Sequence, residues 1–271
     1  MTDQLTIMAV HAHPDDEVLG TGGVFARYAA EGIRTVLVTC TNGEQGDMPG
    51  GIKPGSPGHD PNAVRTQRLS ELQESADLLG IEHVELLGYQ DSGMDGWDAN
   101  QHPDVFWNTP VDQAATRLAD LMRHYRPQVV VTYDENGNYG HPDHIQANRI
   151  TLAAAAATDI PDKLYYTAIP RESSREMFGL LRAKGLLDFD PPEDFGIPAD
   201  QITATVDVTP YTERKAKALA AHASQSDSVP FLSLPSDMQH LMFGTEVFVR
   251  HFNRVAAAPP QETDLFAGLR P

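Results

Sequence analysis

Two short stretches concentrate the residues able to do chemistry. One is His11-Ala12-His13-Pro14-Asp15-Asp16-Glu17, near the start of the 271-residue chain; the other runs from Tyr133 through Tyr139, Gly140, His141, Pro142 and Asp143 to His144. The chain holds eleven histidines and a single cysteine, Cys40, so a bound metal would have to draw on nitrogen and oxygen ligands. Zinc accepts imidazole and carboxylate, and a catalytic site typically uses three protein ligands with the next position left to water. His13 and Asp16 stand three residues apart, so one turn can aim both inward, and His144 can arrive from the second stretch. The spacing therefore predicts one ion per chain held by His13, Asp16 and His144; iron(II) accepts the same set. Asp15, between two ligands, would lie close to a reacting water without ligating the metal and could act as general base. His141 could face the reacting carbonyl or the leaving group, and Tyr139 could donate a hydrogen bond to an oxyanion. A lone His-Pro-Asp is equally an ordinary turn, with proline fixing φ and aspartate capping the next helix. His11, inside the strand register, reads as a packed histidine, and Glu17 as a first-turn acid or a hydrogen-bond anchor.

The pairing of the two stretches depends on the elements that carry them. Apolar runs bounded by turn residues alternate with helical patterns: strands over Leu5–Val10, Thr35–Thr41, His83–Leu87 and Val129–Tyr133, with helices to about Ala30, over Ala63–Leu79, Val111–His124 and from Asp143 to Ala157. Near-continuous Val/Ile/Leu strands alternating with helices predict a Rossmann-like α/β fold, a mostly parallel sheet with helices on both faces. In the usual doubly wound order the first and fourth strands are neighbours, and their carboxyl-end loops meet where strand order reverses. After Thr158 the pattern loosens into a smaller α+β extension, with strands near Lys163–Ile169, Ile202–Val208 and Glu246–Phe252 and helices near Glu172–Gly185 and Thr212–Ala223. The predicted division is 1–158 for the metal-hydrolase core and 159–271 for an extension packed on it. The proline- and aspartate-rich stretch from Leu187 to Pro198 reads as a boundary or mobile flap, Gly43–Pro61 as a long loop able to serve as a lid, and Ala256–Pro271 as a loose tail.

Composition removes several function classes. Twenty Lys and Arg against thirty-eight Asp and Glu leave a formal charge of −18, with no basic cluster, which argues against nucleic acid or an anionic membrane as partner. One cysteine excludes a disulfide framework and fits a reducing compartment. No apolar run reaches the ~18 residues of a membrane span and the first residues carry no basic, apolar leader pattern, so a cytoplasmic protein is expected, as a monomer or homo-oligomer. Gly20-Thr21-Gly22-Gly23 lacks the third glycine of a dinucleotide fingerprint, and no G-x-S-x-G elbow is present.

Ala12-His13-Pro14-Asp15-Asp16-Glu17 together with Gly140-His141-Pro142-Asp143-His144 resembles the PIG-L (LmbE-like) family of zinc-dependent N-deacetylases, from Leu5 to about Ala157 and more weakly beyond. The resemblance implies hydrolysis of an N-acetyl group on an N-acetylglucosamine-containing small molecule, with zinc on His13, Asp16 and His144, the base on Asp15 and transition-state support from His141. Tyr139 before the second motif and Asp91-Ser92-Gly93-Met94 look most like the mycothiol-pathway branch, which acts on N-acetylglucosaminyl-inositol. The segment from Lys215 through His222 to Gln225 is similar to a C-terminal helix motif of that branch. By the same resemblance Arg68, Asp91 and Met94 contact substrate. An amidase acting on a mycothiol-type conjugate is the alternative within the family, although such amidases carry a lysine where this chain has the segment beginning at Leu19. A non-catalytic sugar- or nucleotide-binding module is the alternative outside it. Without the resemblance, Arg68 is a solvated helix charge and His222 a cation at a helix C-terminus.

Overall fold

The apolar segments assemble into one seven-stranded sheet: β1 (Thr6–His11), β2 (Arg34–Thr41), β3 (His83–Tyr89), β4 (Val129–Thr132), β5 (Lys163–Ala168), β6 (Ala204–Asp207) and β7 (Thr245–Asn253). The helices are α1 (Asp16–Ala30), α2 (Pro61–Leu79), α3 (Val111–Tyr125), α4 (Gly137–Gly140), α5 (Pro142–Thr158), α6 (Arg171–Ala183), α7 (Thr212–Ala221), α8 (Val229–Leu232) and α9 (Ser236–Phe243). This computed structural model describes residues 4–187, 190–193, 195–226, 229–256 and 259–270. Parts of the expected Leu187–Pro198 flap, residues 188, 189 and 194, lie outside the described residues.

The spatial order is β3-β2-β1-β4-β5-β7-β6. Strands β1 to β5 pair in parallel, and β7 runs antiparallel to both β5 and β6. Ile7, Ala9, Leu37, Val129 and Val131 pack with residues of α1, α2 and α7, whereas Met8, Val10, Val36, Val38 and Val130 pack with residues of α3 and α5. Both faces are covered, so both sets of alternating side chains must be apolar, and the strands read as unbroken hydrophobic runs. The chain runs from β1 outward to β2 and β3, then returns to β4 on the other side of β1. The register Ile7↔Val129 and Ala9↔Val131 sets the carboxyl ends of β1 and β4 side by side. The two chemistry-bearing stretches leave the sheet from this switch point.

The Gly20–Gly23 run lies inside α1 rather than in a phosphate-binding turn. A Cβ on Gly23 would stand 2.4 Å from Val208 Cγ2, so glycine lets α1 pack closely against the residue that follows β6.

The expectation of a loose C-terminal tail is incorrect over 259–270. Leu265 and Phe266 are fully buried, and the wholly buried Lys163 ammonium meets Glu262 Oε1 at 2.6 Å and donates to the Ala267 carbonyl at 2.6 Å. A charge inside the fold needs such partners, and for Lys163 the tail supplies them. Glu262→Ala would leave the lysine without its counter-ion and is expected to destabilise the protein by about 3–5 kcal/mol, measurable as a loss in chemical denaturation.

Candidate metal centre and active site

His11 ends β1 and is packed, as expected: its Nε2 lies 2.8 Å from Thr21 Oγ1 and its Nδ1 3.2 Å from the Tyr133 hydroxyl. Thr21 donates its own proton to the Glu17 carbonyl, so His11 Nε2 is the donor to Thr21. Burial holds this imidazole down at about 4, and it stays neutral. The chain then turns sharply into α1. Asp15 takes φ 119° and ψ −31°, a region that non-glycine residues avoid and that costs on the order of 1–3 kcal/mol unless its surroundings enforce it.

His13 and Asp16 come together through that turn. Asp16 Oδ2 accepts the His13 backbone N–H at 2.8 Å and stands 3.2 Å from His13 Nδ1, while Asp16 Oδ1 lies 3.4 Å from His144 Nε2. One carboxylate thus spans the two imidazoles. Burial opposes its charge, but His144 and His13 hold Asp16 well below the usual carboxylate range. The opposite nitrogen of His13, Nε2, faces Asp143 Oδ2 at 3.3 Å and Asp91 Oδ1 at 3.6 Å. Burial pulls His13 down, yet Asp91, Asp143 and Asp16 together hold it well above the ordinary imidazole value.

The second loop brings His144 in from the first turn of α5. Tyr133 stacks on its ring, with centroids 4.0 Å apart and planes at 15°, and the Tyr133 hydroxyl accepts the Ala12 N–H at 2.8 Å, tying the two loops together. His141 caps α5: its Nδ1 accepts the Asp143 N–H at 3.1 Å, which puts the proton of the neutral ring on Nε2. Burial, with His13 and His144 alongside, lowers His141 to about 2. Tyr139 is half-exposed, its ring 5.0 Å from that of His144.

These residues suit a divalent cation. His144 is 1% exposed, yet neither of its ring nitrogens has a hydrogen-bond partner among the described residues. Burying an imidazole with both nitrogens unsatisfied is costly, and a metal bond would satisfy one of them. His13, His141 and His144 offer nitrogens that all lie within 4.8 Å of one another, and His13, Asp91 and Asp143 form a second such group. In the second group the carboxylates are already occupied. Asp143 accepts the Ser92 N–H at 2.9 Å and the Ser92 hydroxyl; Asp91 accepts the N–H of Gly93 at 2.8 Å and of Gln45 at 3.2 Å. Asp143 Oδ2 is thereby set to receive the His13 Nε2 proton, with the Asp91 charge alongside, which turns Nδ1 toward Asp16, the outer arrangement typical of a metal-binding histidine.

Asp15 lies beside this group rather than within it. Its Oδ2 accepts Arg68 Nη2 at 2.7 Å, and burial pushes its carboxyl up to about 6 against the pull of Arg68. About a third of its side chain stays open to a cavity of about 300 Å³, which it lines with Asp16, Leu19, Tyr139, His144 and His222. Arg68 is 4% exposed, so the solvated-charge alternative does not hold. Its guanidinium also donates to the carbonyls of Pro14, at 2.5 Å, and Gly43, at 3.0 Å. Gly43 has φ 73°, and a Cβ there would meet Arg68 Nη1 at 2.5 Å, so the loop passes the guanidinium only as glycine. Of the expected substrate contacts, Arg68 bonds Asp15 and Asp91 lies 3.6 Å from His13 Nε2. Met94 is half-buried, and its carbonyl accepts the Trp97 N–H. A separate hollow of about 400 Å³ lies by the amino ends of β2 and β3, beside Gly32, Asp77, Gly80 and Glu82.

Sequence reasoning left Asp143, Ser92 and Ser75 without roles. Asp143 lies inside the second motif and Ser92 inside the Asp91-Ser92-Gly93-Met94 segment, so both could have been flagged there; Ser75 carries no local signal. Glu17 is the anchor that the sequence offered as one of two readings. It is fully buried and accepts Ser75 Oγ at 2.5 Å, His222 Nε2 at 2.8 Å and the Asp15 N–H at 2.9 Å.

Residues 8–155, more than half of the chain, match the family model described as PIG-L, GlcNAc-PI de-N-acetylase. The chain is 42% identical over 280 residues to a 1D-myo-inositol 2-acetamido-2-deoxy-alpha-D-glucopyranoside deacetylase of Acidothermus cellulolyticus, covering 97% of this chain and 95% of that protein. It is 38% identical to the protein of the same name from Geodermatophilus obscurus, covering 99% of each. Among solved structures, the N,N'-diacetylchitobiose deacetylase of Pyrococcus horikoshii superposes with a TM-score of 0.61 at 22% identity, over 92% of this chain and 84% of that one. A 4-carboxy-2-hydroxymuconate hydratase from Pseudomonas putida superposes at 0.59 and 17% identity, over 93% and 98%, so the fold alone does not fix the reaction. With its family model and its near-full-length relatives in agreement, the chain belongs to the PIG-L family.

Proposed function

We infer that this protein is a metal-dependent N-deacetylase that hydrolyses the acetamide of an N-acetylglucosamine-containing small molecule, and that its substrate is the inositol glycoside named for its relatives. The observation that carries the hydrolytic reading is Asp16 set between His13 and His144, neither His144 nitrogen hydrogen-bonded among the described residues, with Asp15 open to the same cavity. The substrate class rests on relatives 36–42% identical along nearly the whole chain.

His13, Asp16 and His144 would hold the ion, and zinc fits their nitrogen and oxygen donors. A bound zinc would supply Lewis acidity, polarising the acetyl carbonyl and bringing the pKa of a water toward about 7. Asp15 then takes the proton from the attacking water. Its carboxyl, raised to about 6, is basic enough to accept that proton and acidic enough to deliver it to the departing amine. His141 presents an Nε2–H fixed by its cap bond, and Tyr139 lines the cavity; we assign both as donors to the oxyanion. As the C–N bond breaks the amine leaves protonated, and acetate and the free amino sugar are the products. Among the described residues no helix is long and apolar enough to cross a membrane, and the buried Cys40 fits the reducing cytoplasm in which we place the reaction.

The test is acetate release from a panel holding the N-acetylglucosaminyl-inositol, free N-acetylglucosamine and a mycothiol-type amide conjugate. The inositol glycoside is expected to turn over fastest. Faster cleavage of the conjugate would assign the amidase activity instead, and no acetate from any member would remove the deacetylase reading.

A further inference from the structure

The backbone of Asp15 sits at φ 119°, outside the regions an L-residue prefers, so something must hold it there. The contact on its N–H is Glu17 Oε2, at 2.9 Å. Glu17 is fully buried, and its other oxygen takes a hydrogen bond from Ser75 on α2 and one from His222 at the end of α7. A buried carboxylate at a helix start needs no partners from two distant helices merely to satisfy the helix dipole. Here residues 58 and 205 positions away converge on it. His222 spends its hydrogen bonding on Glu17 alone, because its Nδ1 has no partner among the described residues. Arg68 holds the Asp15 carboxylate from the other side.

We propose that Glu17, His222 and Ser75 are positioning residues that brace the Asp15 backbone in its strained conformation, so that its carboxylate faces the cavity. The brace takes the role of Asp15 as base from the function proposed above. His222 borders the cavity wall but is fully buried with its Nε2 on Glu17, so the brace acts on Asp15 rather than on substrate, and it transmits geometry from the C-terminal segment to the first active-site loop. A displacement of the base by about 1 Å can cost ~10²-fold in rate.

The experiment compares His222→Phe, His222→Gln and Ser75→Ala with the parent and with Asp15→Ala, reading bound metal, kcat and KM. His222→Phe is expected to keep its metal and a KM within roughly threefold of the parent, while kcat falls ~10–100-fold. His222→Gln, whose amide N–H can reach Glu17, should recover most of that loss, and Ser75→Ala should lower kcat by a smaller factor. Added to Asp15→Ala, His222→Phe should change the residual rate by less than about twofold, because a brace has no effect once the base is gone. Parental kcat in His222→Phe, loss of its metal, or an undiminished effect in the Asp15→Ala background would each overturn the proposal. If His222→Phe fails to fold, His222→Gln and Ser75→Ala decide it, with unchanged kcat in Ser75→Ala counting against the brace. Failure of the underlying reading would look different: Asp15→Ala itself would retain parental turnover.

Discussion

Asp15→Ala is expected to bind metal as the parent does and to release acetate ~10²–10⁴-fold more slowly. The two halves of that expectation come from separate observations. Metal should stay because the Asp15 carboxylate is bonded to Arg68 at 2.7 Å, while Asp16 is the group that spans His13 and His144. Turnover should fall because the variant removes the cavity-facing base, leaving the water to lose its proton without a positioned acceptor. Asp15→Asn should lose a comparable factor, since it keeps the shape of the side chain without its basicity. Bound zinc by elemental analysis and acetate release on the same preparation make the check, and parental turnover in either variant would refute the assignment.

Asp16→Ala and His144→Ala are expected to lose both the metal and the activity. Asp16 Oδ1 and Oδ2 face different imidazoles, so its removal leaves His13 and His144 without the anion between them. His144 lies under the Tyr133 ring with neither nitrogen hydrogen-bonded among the described residues and Asp16 Oδ1 3.4 Å from Nε2, a position that suits a metal ion. Acetate release should drop by at least ~10²–10³-fold, the scale of losing the electrophile. Full zinc occupancy in purified Asp16→Ala would show that another set, such as His13, His141 and His144, holds the ion.

The strand order and the meeting of the two loops were legible because they follow from local patterns: hydrophobic runs of strand length, helices between them, and the reversal that places β1 beside β4. His11 was legible as a packed residue from its place in the strand register. What the sequence could not reveal depends on contacts between distant segments. Arg68 looks like one more charge on a polar helix until α2 is seen to bury it against Asp15 and Pro14. The brace on Glu17 joins three elements, and nothing near Ser75 announces it. The C-terminal segment reads as a tail because it carries no periodicity, yet Lys163, in the strand beside β4, requires the partners that it provides. Periodic elements can be read from neighbours in sequence, whereas buried polar groups are explained by whatever the fold brings to them.

Whether a cation held by His13, Asp16 and His144 drives acetamide hydrolysis is decided by stripping the purified protein with a chelator, removing the chelator and titrating zinc back while acetate release from the N-acetylglucosaminyl-inositol is followed. Stripped protein is expected to be inactive, and activity to return to a plateau at one zinc per chain, in the parent but not in Asp16→Ala. Chelator-resistant turnover, or restoration in Asp16→Ala equal to that of the parent, would contradict that role for the cation.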